Sequence, residues 1–243
     1  MAGLIETVRE TGSTNADLVA RLRAGEAVPE GYWLIADRQN AGKGRQGRQW
    51  SNGEGNFMGS TVVHLDGGDP PPHTLALVTG LAVYGAVLDQ LLAPVRLELK
   101  WPNDLLLAGG KLVGILLERA GNAVVVGIGV NLVKAPAIAG RSISSLQQFG
   151  SVPDRDDFAR KLADFFAREI EGWRRSGLAQ IIDRWTAAAH PPGTLLSVHT
   201  GTEGTLEGRF DGLAADGALC LRLEDGSRRT VHAGDVSLIG GQD

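Results

Sequence analysis

The 243-residue chain contains one cysteine, Cys220, so neither an intrachain disulfide nor a cysteine-based zinc site is available to it. Its five histidines are scattered, without the spacing of a catalytic triad or a metal site, and no G-x-S-x-G segment is present. These gaps speak against a hydrolase. Excess basic charge is also missing: the net charge is −4 and the pI is about 5.8. A surface that binds nucleic acid all over is therefore excluded, and any cationic site must be local. The N-terminal MAGLIETVRETGST lacks the charged-then-apolar layout of a signal peptide. The uncharged run Thr74–Leu88 is too short to span a bilayer and ends at Asp89. No internal repeat or low-complexity tract is present. The expectation is a cytoplasmic protein with no membrane or nucleic-acid partner.

What is present is enough apolar material for a sizeable core, 43% of residues. GSTNADLVARLRAG reads as a first helix, with Ala16, Val19 and Leu22 at helical spacing, Gly25 past its end, and Thr14 with Asp17 fitting a capping box. YWLIADRQ reads as a buried strand that feeds a glycine loop, and GNFMGSTVVHL as the next strand. HTLALVTGLAVYGAVLDQLL is apolar almost all round, as a core helix must be. RLELKW, KLVGILLER and NAVVVGIGVNL follow as a meander of antiparallel strands joined by AGGK and AGNA turns. Residues 155–175 form an amphipathic helix with Phe158, Leu162, Phe165, Phe166 and Trp173 on one side, and LAQIIDRWTAAA a shorter one. From HPPGT onward short β segments alternate with glycine turns, the pattern of a small barrel. The expected class is α+β, with a boundary near residue 190.

Residues 39–50, QNAGKGRQGRQW, satisfy G-x-G-x-x-G at Gly42, Gly44 and Gly47. A dinucleotide-binding loop must open a helix, however, and RQWSNGEGNF has no helical period. The loop is not a Walker A motif either, since no Lys-Ser or Lys-Thr closes it. What distinguishes it is Lys43, Arg45 and Arg48 on glycine-rich backbone that can approach a ligand closely. Elsewhere, KWPNDLLLAGGKLVGILLE places Lys100, Asn103, Asp104 and Lys111 around one hairpin, GIGVN ends a strand at Asn131, and STN offers hydroxyls and an amide at Ser13, Thr14 and Asn15. Taken singly, each has a structural explanation: caps, turn residues, a solvated hairpin lysine.

Together and in this order, these segments resemble the catalytic core of the biotin–protein ligases. In that family STN, a glutamine before the loop, G-[RK]-G-R-x-G-R, K-W-P-N-D, a lysine before L-x-G-I-L-x-E, and G-x-G-x-N recur. The resemblance covers residues 10–150, and the β tail is similar to the SH3-like domain found after that core. Lys43 stands where arginine is usual, which keeps the charge and loses a bidentate fork. With residues 1–11 preceding GSTN, the expected member is the short form without the N-terminal helix-turn-helix domain of the repressor members.

The resemblance implies a mixed, largely antiparallel sheet with packed helices, of the class II aminoacyl-tRNA synthetase kind, over residues 1–189. It implies an SH3-like β-barrel over 190–243. The implied activity is ATP-dependent: biotin becomes biotinyl-5′-AMP with release of pyrophosphate, and biotin then passes to a lysine of a biotin carboxyl carrier protein. The implied biotin contacts are Ser13, Thr14, Asn15, Gln39, Lys43, Gly44, Arg45, Lys111, Gly114 and Ile115. Those of ATP and the adenylate are Arg45, Arg48, Trp50, Asn103, Lys111 and Asn131, with Mg²⁺ held mainly by the ATP phosphates. Lys111, Arg45 and Arg48 would neutralise the anionic centre, because a carboxylate meets a phosphate only after that repulsion is removed. Asp104 would orient or deprotonate the incoming amine, or else hold Mg²⁺ or pair Lys111. Residues 134–150 correspond to a loop that folds over adenine, with Ile143 and Leu146 as apolar covers. A lipoate or octanoate ligase of the same fold and a biotin-sensing regulator are the rival readings, and a homodimer through the central sheet is left open.

Overall fold

The computed structural model describes residues 4–50, 53–201 and 204–239. Seven strands form the main sheet: β1 (Ile5–Thr11), β2 (Trp33–Gln39), β3 (Phe57–His64), β4 (Leu97–Lys100), β5 (Asp104–Leu107), β6 (Gly110–Ala120) and β7 (Ala123–Val130). They lie in the order β1-β2-β3-β7-β6-β5-β4; β1 runs parallel to β2, and every other pair is antiparallel. Helix α1 (Thr14–Arg23) covers one face. On the other lie α2 (Leu75–Leu88), α3 (Arg155–Ser176) and α4 (Leu178–Ala187).

Strand alternation sorts the side chains. Trp33, Ile35, Val124, Val126 and Ile128 enter the large core with α2 and α3, where Phe158, Leu162, Phe166 and Trp173 are buried as the helical period predicts. Leu34, Val62 and Val125 face the other way and pack with Leu18 and Val19 of α1. β2 is buried on both faces at its start, which is why it reads as a continuous apolar run.

Three elements differ from the sequence reading. β1 went unread because its IETVRET alternates charge along a half-exposed edge and offers no apolar run. The KWPND hairpin contains a strand of its own, β5, so the meander has four strands and not three. α2 stops at Leu88, short of DQLL, and Leu88 and Leu92 are exposed. No helix among the described residues is long and apolar enough to cross a membrane.

The tail forms a five-stranded antiparallel sheet of β8 (Leu195–His199), β9 (Thr205–Leu213), β10 (Leu219–Arg222), β11 (Arg228–Val231) and β12 (Asp235–Leu238), in the order β11-β10-β9-β8-β12. Laid flat, its outer strands would stand about 19 Å apart. The link from Val231 to Asp235 reaches at most about 15 Å, so the sheet must curl toward a barrel. Its inner residues, among them Leu196, Val198, Phe210 and Leu219, join the same core cluster as the main sheet. Trp101 of KWPND ties the two parts through a hydrogen bond from Nε1 to Gly217 O (3.1 Å).

The chain leaves α4 alongside β4, where Leu99 N donates to Ala188 O (2.8 Å). There Glu98, 7% exposed, takes Arg96 Nε at 2.8 Å and stands 3.5 Å from Nδ1 of buried His190. Burial by itself raises the Glu98 carboxyl, but His190 and then Arg96 outweigh it and hold the group below its ordinary range. A depressed carboxylate stabilises the fold above its unfolded value, near 4.5, and loses that contribution as pH falls through the folded value. Glu98→Gln is therefore expected to cost about 1–3 kcal/mol at neutral pH. Thermal unfolding of both proteins across pH should show the gap closing below the ordinary glutamate value; a gap independent of pH would exclude a charged Glu98 as its source.

Candidate functional site

The face that α1 covers changes character along the sheet. Paired residues across β3, β7 and β6 form three rows: Val62–Val125–Glu118, then Ser60–Gly127–Leu116, then Met58–Gly129–Gly114. α1 packs on the first row. Beyond it Ser60, Gly127, Gly129 and Gly114 stand where larger side chains would fill the space, and a cavity of about 330 Å³ opens. Each glycine of GIGVN seats a particular side chain. A Cβ on Gly127 would lie 2.3 Å from Asn15 Oδ1, and one on Gly129 would lie 2.2 Å from the Trp50 indole. Gly114, opposite Gly129, would put a Cβ 2.7 Å from the same ring. These glycines supply depth, which is a packing requirement and not a demand for flexibility.

One end of the cavity is polar and neutral. Ser13 caps α1 by accepting from Ala16 N (3.4 Å), so the cap is Ser13 and not the Thr14–Asp17 pair. Thr14 and Asn15 are thereby freed to reach the sheet. Thr14 N donates to Gln39 Oε1 (2.8 Å), and Thr14 Oγ1 lies 2.6 Å from Ser60 Oγ. Ser60 donates to Asn15 Oδ1 (2.6 Å), and Asn15 Nδ2 donates to Glu118 Oε2 (2.8 Å). Ser13, Thr14, Asn15 and Ser60 are all buried.

The other end is cationic. The glycine loop folds as a tight hairpin, with Gly44 N donating to Arg48 O (2.7 Å) and Trp50 N to Gly42 O (2.9 Å). Lys43 pairs with Gln49 across it, and Gln46 and Gly47 turn it at positive φ. Arg45 donates to Asn103 Oδ1 (3.3 Å) and Gly234 O (3.1 Å), and stands 3.6 Å from Asp235. Arg48 pairs with the same Asp235. Across the cavity, Lys111 Nζ donates to Asp104 Oδ1 (2.6 Å), 6.0 Å from the Trp50 ring. A bulge between Leu105 and Leu106 lies in the β5–β6 pairing that brings these two residues together.

The fifteen residues that the resemblance implies as catalytic, biotin or ATP contacts all line one cavity. Their tasks differ in detail. The Asn131 amide is spent on Ser144 O (3.2 Å) and Lys111 O (3.4 Å), strapping the 142–146 segment to the start of β6. Ile143 lines the cavity, whereas Leu146 is fully buried in the core and is not a cover. Ile115 is held by Asn103, which accepts from Ile115 N (3.0 Å) and donates to Ile115 O (2.6 Å). Sequence reasoning missed Ser60 and Asp235, and gave Glu118, the last residue of L-x-G-I-L-x-E, no role. Ser60 lies inside an ordinary strand, and Asp235 sits in a β tail with no motif, so only strand pairing and module docking reveal them.

Among the described residues the acidic side chains lining the cavity are Asp104 and Asp235, both paired with cations, and no cluster of three or more metal-ligating groups occurs. That donor set suits a magnesium ion carried on phosphate and touched by one carboxylate, not a protein-built cage.

Comparison with known proteins agrees with the geometry. The family model for the Biotin/lipoate A/B protein ligase family matches residues 10–132, and that for the Biotin protein ligase C terminal domain matches residues 198–239. A biotin–[acetyl-CoA-carboxylase] ligase of Paracoccus denitrificans is 38% identical over 93% of this chain and 97% of its own. One from Mycobacterium tuberculosis is 36% identical over 96% and 88%. Among solved structures, the biotin protein ligase from Aquifex aeolicus in complex with biotin and ATP superposes with a TM-score of 0.84, at 25% identity over 97% of this chain and 98% of that one.

The indole seat makes a prediction independent of any ligand. Gly129→Ala removes the room for Trp50 and releases the loop hairpin from the sheet. Tryptic cleavage after Lys43, Arg45 or Arg48 should then run at least about fivefold faster, the effect of losing roughly 1 kcal/mol of local stability. The thermal midpoint should stay nearly unchanged, because the loop yields and the core does not. Cleavage at the wild-type rate would show that the seat does not hold the loop.

Proposed function

The chain belongs to the biotin/lipoate A/B protein ligase family, and from that premise we propose that it is an ATP-dependent biotin–protein ligase. It activates biotin as biotinyl-5′-AMP and transfers it to a lysine of a biotin carboxyl carrier domain. One observation carries this reading: a single cavity joins a neutral hydroxyl–amide end, a glycine floor and an end bearing Lys43, Arg45, Arg48 and Lys111. That sequence of surfaces matches a ureido head, an apolar ring with its chain, and a carboxylate meeting a triphosphate. A dithiolane ring carries no hydrogen-bonding group to exchange with Thr14, Asn15 and Gln39, so it gains nothing at that end.

In the first step a carboxylate oxygen of biotin attacks the α-phosphorus and the bond to pyrophosphate breaks. Both reactants are anionic, so the attack needs positive charge already in place. Lys111 is assigned to the carboxylate and α-phosphate oxygens, Arg45 to the same anhydride, and Arg48 to the outgoing phosphates. Magnesium on the triphosphate adds charge neutralisation there. Asp104 and Asp235 keep these cations oriented before substrates arrive, and the cations exchange carboxylate for phosphate on binding. In the second step the carrier lysine attacks the acyl carbon and AMP leaves. Asp104, 2.6 Å from Lys111, is the carboxylate placed to orient the incoming amine or take its proton. Residues 1–189 carry this chemistry, and residues 190–243 contribute Asp235 and brace the loop. The reading places the enzyme in the cytoplasm, with the open edge at β1 available to a second chain.

ATP–pyrophosphate exchange with biotin and with lipoate, side by side, tests the assignment: exchange with lipoate alone would overturn it. Lys111→Ala should fold normally, since Lys111 is half-exposed, and lose exchange by at least about a hundredfold, the effect of one removed charge at a reacting centre. Exchange near the wild-type rate would remove Lys111 from the reacting centre. Arg45→Gly loses an anhydride contact and three loop anchors together. The adenylate should then escape and label lysines of an unrelated protein in the mixture; labelling no greater than with wild type would exclude Arg45 as a retaining contact.

A further inference from the structure

KWPND begins with a lysine that no contact explains. Lys100 ends β4, the edge strand of the main sheet, and lines the cavity half-buried. It lies directly opposite Asp104 in the β4–β5 pairing, so both side chains stand on the cavity face. Yet the Lys100 side chain makes no hydrogen bond or ion pair with another described residue. Two carboxylates stand near it in the sheet, and both are engaged elsewhere. Asp104 accepts from Lys111 (2.6 Å). Glu98, two residues back on the same face, turns to Arg96 (2.8 Å) and His190 (3.5 Å).

The other charged groups around the cavity do not answer Lys100 either. Arg45 and Arg48 share Asp235, and Lys43 and Arg141 line the wall with no carboxylate among the described residues. Six cations thus face two carboxylates: Lys43, Arg45, Arg48, Lys100, Lys111 and Arg141 against Asp104 and Asp235. Triphosphate absorbs that surplus in the first step. Once pyrophosphate has left, the adenylate keeps only the charge of its own phosphate, and the surplus returns.

In the second step a carrier lysine arrives as an ammonium, and only the neutral amine can attack. Lys111 and the Trp50 ring, seated over Gly114 and Gly129, close Asp104 from the β6 side. The side toward the sheet edge holds Lys100. We propose that Lys100 activates the carrier lysine: its unpaired charge beside the approach to Asp104 disfavours the ammonium, so that the lysine binds as an amine. The ammonium gives one proton to solvent, and the amine forms the C–N bond to the acyl carbon. The C–O bond to the phosphate breaks, AMP leaves with that electron pair, and the second proton of the nitrogen passes to Asp104. Lys100 touches none of the reacting atoms. It works through its field, as a like charge favours the neutral form of a neighbouring amine. This role presupposes the ligase reading.

Preformed biotinyl-5′-AMP, added to the enzyme with an unmodified biotin carboxyl carrier domain, isolates the second step, and transfer is followed across pH. Lys100→Met keeps the aliphatic stem and loses the charge. Its transfer rate at pH 7 should fall at least about fivefold and recover at alkaline pH, the effect of one removed like charge. Lys100→Arg should keep the wild-type profile. Hydroxylamine, neutral at pH 7, should cleave the enzyme-bound adenylate equally fast on Lys100→Met and wild type, because it has no proton to shed. ATP–pyrophosphate exchange with biotin should change less than about twofold, since Lys111, Arg45 and Arg48 serve that step. A loss of transfer that is the same at every pH would make Lys100 a docking residue, and an equal loss of exchange would make it a phosphate contact. Either result would overturn the proposal, as would a slowed hydroxylamine reaction or an unchanged profile. Wild-type protein that transfers no biotin from the adenylate would instead overturn the ligase reading.

Discussion

The architecture of this protein turns on how one face of the central sheet is covered. Alternation along β3, β6 and β7 brings Val62, Ser60, Gly127, Gly129 and Gly114 to the same side. α1 has ten residues, about 15 Å of helix, enough to bury the valine end and no more. Where the helix stops, its first turn becomes the wall of a cavity and the sheet becomes the floor. Ser13 ends the helix at that place, which is why Thr14 and Asn15 are available to the site and not spent on capping. The opposite face has no such freedom, since Ile128 and Val126 between and beside the glycines are locked into the core. The site is deep because the strand is rigid behind it.

Charge imposes the second constraint. A chain of net charge −4 gathers several cations at one end of one cavity, and in the absence of anionic substrate they repel one another. The structure answers with two carboxylates: Asp104 on Lys111 and Asp235 across Arg45 and Arg48. These pairs are partly exposed, so their value lies less in stability than in orientation. Asp235 ties the tail to the loop by ion pairs, and Trp101 ties it to the main sheet by a hydrogen bond. The catalytic sheet and the curled tail consequently share one apolar core, and the link between them has Glu98 and His190 at its centre.

The sequence by itself determined the α+β class, the helices and most strands, because period and turn chemistry are local. It also picked out residues that line one cavity, through a set of motifs whose order is specific although each is weak alone. It failed where the deciding contact is remote. β1 is a strand only because β2 lies beside it, and Leu146 is core only because the 142–146 segment is strapped to β6. Asp235 joins the site across 190 and 187 residues of chain from the arginines it holds. The depth of the slot, the docking of the tail and the contacts of Ser60 were decided by tertiary structure alone, since each depends on which atoms strand pairing and packing set face to face.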